Sequence, residues 1–354
     1  MNIVSLRDTI KSMISKKVLI IGLGKFGTIK AEVYSRLGCY VDALDIKGIS
    51  PSNSVHNCYN SPDQIRLGYD VYEICVPTQR HVEYISLLSI NNPDVTVVCE
   101  KPLCSNYRDL AAGIATAGRN FNTNYVYSEN YVASNAIKPI LALIKEHSLV
   151  TTKVVMEFSK DRRPDIEGGR FVDTDLEGFG IEIPHMLTFL EILGFQYSKI
   201  TSTVTEDLVT ENKTYLRQGN IKIRGFSEEG VSVEIYQSLD GQTNFKHPSL
   251  LVDPENKKPY RILYMEFEEG YELFVQFEPV FTLERYIARI ELHKDGVVIK
   301  SNQLRDAPLN QLAYLIASGQ YKKYEYRQYL TFQHGAEVAG TLIGLQKHSL
   351  MQIL

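Results

Sequence analysis

Residues 17–27, Lys17-Val18-Leu19-Ile20-Ile21-Gly22-Leu23-Gly24-Lys25-Phe26-Gly27, decide the fold of this chain. Four consecutive apolar residues lead into three glycines spaced G-x-G-x-x-G, and helix-compatible residues follow up to Leu37. This pattern predicts a buried strand, a tight turn and a helix start. The first glycine permits the turn, the second lets the backbone approach a pyrophosphate, and the third lets the helix pack on the strand. Nucleotide binding is the expected role, and a purely steric role of the glycines is the alternative.

An acidic residue at the end of a second apolar run supports nucleotide binding. Asp45 closes the run at 40–45, at about the 20-residue spacing at which a carboxylate binds the adenosine ribose hydroxyls. The same carboxylate would repel the 2′-phosphate of NADP. NAD is therefore the expected cofactor and NADP the less favoured one, although Lys47 softens that preference.

Composition narrows the class of protein. The 354 residues favour two domains, and 44% hydrophobic and 23% charged residues are ordinary values for a globular protein. A net charge of −4 gives no support for binding nucleic acid or an anionic membrane surface. A small molecule is the expected partner.

Targeting and metal signals are missing from the sequence. No apolar run approaches the roughly 20 residues that cross a bilayer, and no signal peptide is evident, so we expect a cytoplasmic protein. The histidines form no H-x-x-x-H or H-x-H pair and the cysteines no C-x-x-C pair, so no metal site is expected.

Strands alternate with helices over the first part of the chain. After the first β-α-β unit, residues 71–76, 95–99 and 122–127 are further strand candidates, with helix candidates at 79–88 and 105–117. This alternation predicts an α/β fold with an N-terminal Rossmann domain, a doubly wound parallel sheet over residues 1–130. Ligands of such sheets bind at the carboxyl ends of the strands.

Strand-like runs dominate after residue 131. They predict a second domain over residues 131–354, an α+β domain with a large, mostly antiparallel sheet that binds substrate and mediates oligomerisation. A C-terminal helix is able to pack back on the first domain. One sheet face is expected to contact helices and the other a second subunit, giving a homodimer or homotetramer.

Three motifs at the ends of the predicted strands resemble one known family. They are the Gly22-x-Gly24-x-x-Gly27 loop, the turn Val76-Pro77-Thr78-x-x-His81, and Glu100-Lys101-Pro102. Together they resemble the glucose-fructose oxidoreductase / inositol dehydrogenase (Gfo/Idh/MocA) family, over about residues 17–130 well and over the rest more loosely. The resemblance implies an NAD(P)-dependent dehydrogenase or reductase acting on CH–OH groups.

The resemblance also assigns roles to the residues that follow the strands. Lys101 is similar to the family's lysine between nicotinamide and substrate, where an ammonium donates to the reacting oxygen. An ordinary surface lysine is the alternative. The expected cofactor-binding residues are Gly22, Gly24, Lys25, Phe26, Gly27, Asp45, Pro77, Thr78, His81 and Glu100.

His185 follows a glycine-rich segment and matches the family's proton-carrying histidine. An imidazole is suited to exchanging a proton with a hydroxyl near neutral pH, and a buried structural histidine is the alternative. The family's aspartate, four residues earlier, is Ile181 here, and its glycine, two residues earlier, is Ile183. Glu182 is expected to replace that carboxylate, with Asp175 as the weaker candidate.

The turn after the fifth predicted strand departs from the family as well. Val126 stands where the family often has arginine. A carboxylate or phosphate on the substrate would then need an arginine of the loop before His185, and solvated loop charge is the alternative role for these residues. The candidates are Arg162, Arg163 and Arg170, and Tyr127 and Asn130 are the expected hydroxyl partners.

The expected function is that of an NAD-dependent oxidoreductase. It would transfer a hydride between nicotinamide and a carbinol or ketone carbon of a sugar, aminosugar, cyclitol or nucleotide sugar. The alternatives are an imine reductase on the same fold, and a non-catalytic regulator that binds the dinucleotide or a sugar. The missing aspartate is the feature that supports the regulator.

Overall fold

The computed structural model describes residues 16–47, 53–65, 68–88, 93–120, 122–169, 175–253, 259–280 and 283–351. The chain separates into two compact units. The first comprises the residues up to Val132 together with Leu309–Gly340, and the second comprises Ala133–Pro308 together with the residues from Thr341 on. The first unit thus combines residues from both sides of the predicted boundary at 130/131.

A parallel sheet of six strands forms the centre of the first unit. Its order is β3-β2-β1-β4-β5-β6, and every neighbouring pair is parallel. The predicted doubly wound sheet is confirmed; the two-residue β3 was not predicted, because it is too short to show a pattern. The strands are β1 Lys17–Ile21, β2 Tyr40–Leu44, β3 Cys58–Tyr59, β4 Val71–Ile74, β5 Thr96–Glu100 and β6 Asn124–Ser128.

Three helices connect these strands. Helix α1 (Lys25–Arg36) follows the glycine loop, α2 (His81–Leu87) follows β4, and α3 (Tyr107–Arg119) follows β5. Both β4 and β5 are buried along their whole length, as expected for parallel strands covered on both faces. Their carboxyl ends carry the Pro77 turn and Glu100-Lys101.

A sheet of eight strands forms the second unit. Its order is β16-β15-β14-β13-β7-β12-β11-β8, with only β7 and β12 parallel, so the predicted mostly antiparallel sheet is confirmed. A separate pair comprises β9 (Leu208–Val209) and β10 (Thr214–Tyr215). The large sheet comprises β7 Thr151–Ser159, β8 Tyr197–Thr205, β11 Ile221–Ser227, β12 Ser232–Ser238, β13 Tyr260–Phe267, β14 Tyr271–Gln276, β15 Ile287–Lys294 and β16 Val297–Arg305.

The other α-helices within the described residues are α4 Ile137–Glu146, α5 Arg163–Glu167, α6 Ile183–Ile192, α7 Pro308–Ala317 and α8 Phe332–Met351. Helix α6 is buried on nearly every side and packs against β7 and β12. Within the residues that the structure describes, no helix is both long enough and apolar enough to cross a membrane.

A segment of the second unit, Gln242–Leu251, lies across the sheet face that points away from α6; we call it the strap. Phe245 and Leu250 of the strap pack on the buried side chains of Tyr264 and Phe274. Buried polar groups hold its backbone, since Glu157 accepts hydrogen bonds from two strap N–H groups at 2.8 Å. This part of the face, expected to be open to a second subunit, is covered by the chain itself. The homodimer or homotetramer stays a prediction.

Candidate functional site

The glycine loop has the geometry that a dinucleotide requires. Gly22 has φ +97°, and a Cβ there would lie 2.9 Å from the carbonyl of Cys75. A Cβ on Gly27 would lie 1.9 Å from the Gly22 oxygen, so the helix approaches the turn too closely for any side chain. A Cβ on Gly24 would instead meet nothing within 4 Å. The loop is packed on one side and open at Gly24, where a pyrophosphate would approach.

Helix α1 begins at this loop without a capping side chain. Gly24 is the N-cap, and the first turn, from Lys25 on, holds no acidic residue. The first N–H groups of a helix have no intrahelical partner, and the helix dipole favours an anion at this end. The end of α1 therefore fits the pyrophosphate of a dinucleotide.

Asp45 lies beside the glycine loop, directly after β2. Its Oδ2 accepts a hydrogen bond from the Leu23 N–H at 2.8 Å, and its Oδ1 accepts one from the Lys47 N–H at 2.9 Å. The contact with Leu23 connects the acidic residue to the loop that would bind the pyrophosphate. The residues present thus fit a nicotinamide dinucleotide, whose phosphates would lie at α1 and whose ribose hydroxyls would meet Asp45.

His81 joins the two turns that follow β4 and β5. Its ring is buried, with Nδ1 2.8 Å from the Pro102 carbonyl oxygen and Nε2 2.9 Å from that of Val76. Thr78, in the same turn, is also buried. Both ring nitrogens of His81 thus face backbone carbonyls, which supports a role in fixing these turns. Direct cofactor binding by His81 stays a prediction.

Glu100 ends β5 inside a buried group of polar side chains. Lys30 of α1 places its Nζ 2.5 Å from Glu100 Oε1 and 2.5 Å from Glu73 Oε2, and Ser128 donates to Glu100 Oε1 at 2.7 Å. Tyr34 donates to Glu73 at 2.5 Å. We call these five residues the Lys30 cluster. Lys101, which follows Glu100, is only partly buried.

The charges of the Lys30 cluster oppose the cost of burial. Burial tends to lower the pKa of Lys30, but the carboxylates of Glu100 and Glu73 raise it above its usual value. Burial tends to raise the pKa of Glu100, but Lys30 foremost, with Ser128 and Lys101, holds it below its usual value. For Glu73, burial outweighs the same lysine, so its pKa is raised. Lys30 thus stabilises the charged form of Glu100 in spite of its burial.

Sequence reasoning missed Lys30 and Glu73. A signal was present, because Lys30 lies one turn after Gly27, on the helix face that packs against the strand, and Glu73 stands inside an apolar run. Each is a charge at a position predicted to be buried, and charges at such positions need a partner. The pairing itself, across 43 residues, has no local pattern.

His185 lies on the first turn of α6 in the second unit. Its side chain is 7% exposed, and its ring lies 6.5 Å from that of Phe158. Glu182 is the N-cap of α6, and its N–H donates to Gln237 Oε1 at 2.7 Å. The spacing of three places Glu182 and His185 on the same side of this helix end.

The carboxylate of Glu182 has a cationic partner. Arg162 Nη2 donates to its Oε1 at 2.5 Å, and both side chains are largely buried. Asp175 is an exposed residue whose backbone oxygen accepts from Gln346. Of the two carboxylates considered for the missing aspartate, Glu182 is thus the one held near the start of α6.

The predicted substrate-binding residues have diverse surroundings. Tyr127 is 1% exposed, its ring packs on Gly335 and His334, and no hydrogen bond of its hydroxyl was found among the described residues. Asn130 is partly buried, and its Oδ1 likewise has no such partner in the described part of the chain. Arg163 is engaged by Asp161 through two hydrogen bonds. Arg170 lies outside the described residues.

Comparison with known proteins gives a family and a set of similar structures. Residues 16–128 match the profile GFO_IDH_MocA, described as an oxidoreductase family with an NAD-binding Rossmann fold. Comparison with curated protein sequences found no match.

Solved structures similar over nearly the whole chain include three with informative names. Levoglucosan dehydrogenase, in complex with NADH and levoglucosan, is 12% identical over 96% of this chain and 98% of that one, with a TM-score of 0.68. UDP-N-acetylglucosamine 3-dehydrogenase GnnA from Acidithiobacillus ferrooxidans is 14% identical over 94% and 97%, with a TM-score of 0.64. A super-repressor mutant of Gal80p from Saccharomyces cerevisiae is 12% identical over 96% of both chains, with a TM-score of 0.69. At these identities the likeness shows the fold.

Proposed function

We propose that the chain, whose residues 16–128 match the Gfo/Idh/MocA oxidoreductase family, is an NAD-dependent sugar dehydrogenase or reductase. It would transfer a hydride between nicotinamide and a carbinol or ketone carbon. The observation that carries the proposal is the first unit's cofactor geometry, with the open Gly24 and the Asp45 carboxylate beside the loop, in a chain that also places Lys101 after β5.

NAD is the proposed cofactor. When bound, the nicotinamide ring supplies or accepts the hydride at its C4. The N–H groups at the start of α1 would hold the pyrophosphate, and Asp45 would accept from the adenosine ribose hydroxyls. The negative charge of Asp45 disfavours a 2′-phosphate, so NADP is the weaker ligand.

Lys101 is the proposed partner of the reacting oxygen. Its ammonium would donate a hydrogen bond to the hydroxyl or carbonyl oxygen of the substrate. The positive charge of this ammonium, placed beside the substrate oxygen, stabilises the negative charge that develops on that oxygen during hydride transfer. Glu100 supports this role from within the sheet and keeps its own charge through Lys30.

His185 is the proposed proton carrier. An imidazole can take a proton from a hydroxyl, or return one to it, near neutral pH. Glu182 would act through its charge, three residues before His185 and paired with Arg162. Because Arg162 already binds that carboxylate, we assign the proton to His185 and not to Glu182.

A sugar, aminosugar, cyclitol or nucleotide sugar is the proposed substrate class. Two structural neighbours named above are dehydrogenases of a sugar derivative and of a nucleotide sugar, which supports the class without selecting a member. Asn130 and Tyr127 are the proposed partners of substrate hydroxyl groups, and Arg163 is the proposed cation for an acidic substituent. Because the polar atoms of the first two are buried and Arg163 is paired with Asp161, binding a substrate there would require these contacts to open. We further propose that the protein acts in the cytoplasm as a homo-oligomer.

A non-catalytic regulator is the second candidate. Ile181 and Ile183 stand where the family has aspartate and glycine, and the replacement carboxylate, Glu182, is bound by Arg162. One structural neighbour is a mutant of Gal80p, called a super-repressor. On this alternative the chain would bind dinucleotide or sugar without turning it over.

Cofactor absorbance separates the two candidates. NAD and NADP are each tested against inositols, hexoses, hexose phosphates, aminosugars and nucleotide sugars, with Lys101→Ala, His185→Ala and the exposed-lysine control Lys145→Ala alongside. Turnover on one substrate that the first two variants abolish and the control retains is the expected result. Tight NADH binding without turnover on any member would favour the regulator.

A further inference from the structure

The Lys30 cluster connects the cofactor loop to Lys101. Lys30 is 2% exposed and lies on α1, the helix that begins at the glycine loop. Its Nζ contacts Glu73 of β4, Glu100 of β5 and, at 2.9 Å, Ser128 of β6. One ammonium therefore holds a helix and three neighbouring strands. Glu100 is joined by a peptide bond to Lys101.

Burying the charges of such a cluster costs free energy that an apolar contact between the same strands would not cost. A buried ion pair often adds no stability over apolar residues of similar volume, since both charges lose their hydration. Besides the two carboxylates, Lys30 Nζ lies 2.9 Å from Ser128 Oγ and 5.6 Å from the centre of the Phe26 ring, and neither of these groups carries a negative charge. A buried charge retained at the end of β5 points to a role in placing groups there.

We propose that Lys30 is a positioning residue for Lys101. By binding the Glu100 carboxylate, Lys30 fixes the end of β5, from which Lys101 projects. It also neutralises Glu100, so that this carboxylate competes less strongly for the Lys101 ammonium. The inference rests on the proposed function in one respect, namely that Lys101 binds the reacting oxygen of the substrate.

The electrostatics of the neighbouring residues agree with this role. Lys101 is close enough to Glu100 to stabilise its charged form, together with Lys30 and Ser128. Interaction between two charges is mutual, so a Glu100 that lost Lys30 would attract Lys101 more strongly. An ammonium held more tightly by its neighbour is less available to a substrate oxygen.

The reactivity of the Lys101 amine tests the inference directly. The chain without cofactor is labelled with trace acetic anhydride across a pH series, and the Lys101 peptide is quantified by mass spectrometry. We expect Lys30→Met to move the midpoint of Lys101 labelling upward by about one pH unit, a tenfold lower rate at a fixed pH below it. The exposed Lys145 serves as the internal reference in every sample.

Glu73→Gln is the matched control. It removes a carboxylate from the same cluster but leaves the contact between Lys30 and Glu100 in place. The Lys101 labelling curve of this variant is expected to coincide with that of the wild type. An equal shift in both variants would show a general effect of disturbing the cluster and would overturn the proposal.

Lys30→Met leaves two buried carboxylates without their cation and is at risk of failing to fold. Ser128→Ala keeps every charge and removes only the hydroxyl that donates to Glu100 Oε1. We expect a shift in the same direction, about threefold in rate. An unchanged Lys101 curve in folded Lys30→Met, or in Ser128→Ala if the former does not fold, would overturn the inference.

Labelling requires neither cofactor nor substrate, so its result stands whether or not a substrate turns over. Absence of turnover on the whole panel would refute the dehydrogenase proposal and leave the link between Lys30 and Lys101 tested on its own. With a substrate in hand, Lys30→Met is expected to lower kcat about tenfold while the Kd of NADH changes less than twofold. Equal losses in kcat and in NADH affinity would assign Lys30 to the general structure of the fold and contradict the inference.

Discussion

Arg162 and Glu182 form an ion pair in the second unit, with 2.5 Å between Nη2 and Oε1. The side chains are 14% and 6% exposed, so water screens the pair little. The pair connects the residues that follow β7 to the first turn of α6, three residues before His185. The pair thus keeps the negative charge of Glu182 at the start of α6, the helix turn that carries His185.

Arg162→Met removes the cation of this pair. Because it leaves a buried carboxylate without its partner, we expect the free energy of unfolding to fall by about 3 kcal/mol. We expect kcat/KM to fall more than tenfold as well, since His185 loses its fixed surroundings. Denaturant unfolding and steady-state kinetics measure the two effects. Arg224→Met should change neither, because Arg224 is exposed and its partner Glu234 keeps Lys222 as a second cation.

Asp45→Asn tests the choice of cofactor. The amide oxygen can still accept from the Leu23 N–H and so keep the glycine loop in place, while the Lys47 N–H loses its acceptor and the negative charge is lost. We expect the Kd of NADH to rise about tenfold and the preference over NADPH to shrink, because a 2′-phosphate no longer meets a like charge. Fluorescence titration with both reduced cofactors gives the answer. Asp63→Asn, an exposed residue after β3, is the control, and unchanged preference in Asp45→Asn would exclude Asp45 as the selecting residue.

Gly24→Ala tests whether the open side of the loop is the phosphate site. Gly24 has φ −60°, which alanine adopts without strain, and the new methyl would meet no protein atom within 4 Å. We expect the melting temperature to change little and NADH affinity to fall about tenfold, because the methyl occupies the space of the pyrophosphate. Gly118→Ala, in α3 and equally open, should leave binding unchanged and stabilise the helix by up to about 1 kcal/mol. Normal NADH binding by Gly24→Ala would argue against a dinucleotide in this loop.

Glu157 under the strap predicts a pH dependence of stability. Burial raises the pKa of its carboxyl to about 7, in spite of hydrogen bonds from Tyr260, Asn244 and Phe245. A carboxyl with a raised folded-state pKa gives stability that is complete below its unfolded value of about 4.5 and is lost as the pH rises through 7. We expect this contribution to decline by about 3 kcal/mol over that range.

The difference between wild type and Glu157→Gln isolates this contribution from other titrating groups. Denaturant unfolding is measured from about pH 5 to 8, and the stability difference should decline with rising pH. Glu146→Gln, on the exposed face of α4, should show no such slope. A difference that is constant with pH would assign the ionised form to Glu157 throughout.

The fold could be predicted from the sequence because its signals are local. The run into Gly22 gives a strand and a turn, and the alternation of strands and helices gives a parallel sheet. Asp295-Gly296 gives a hairpin, since both residues have positive φ and the flanking strands, β15 and β16, pair antiparallel. Each of these features is decided within about 30 residues of sequence.

The contacts around the candidate site could not be predicted in the same way. Lys30 meets Glu73 and Ser128 across 43 and 98 residues, and Arg162 meets Glu182 across 20. Nothing in the spacing of these residues selects the partner, because the fold as a whole brings them together. The sequence suggested that Glu182 could replace an aspartate, and it could not show that an arginine binds it.

The strap that covers one face of the eight-stranded sheet could not be predicted from the sequence either. The strap is polar and irregular, and its attachment depends on buried acceptors such as Glu157 and Gln276 inside strands. In the sequence, Glu157 and Gln276 look like the polar residues that commonly face solvent on a half-exposed strand. Their role depends on the strap, whose backbone N–H groups need acceptors once the strap packs on the sheet.

Tyr127 has a consequence for how this protein can be divided. Gly335 packs against its ring so closely that a Cβ there would come within 2.7 Å, and the preceding residue of the same strand, Val126, forms a β-bridge with Thr331. A gene truncated after Val132 would encode all six parallel strands yet leave that ring exposed to water. A stand-alone cofactor-binding fragment would therefore need Leu309–Gly340 joined to the residues up to Val132 by an engineered linker. A single proteolytic cut could not release such a fragment, because its two parts are separated in the sequence.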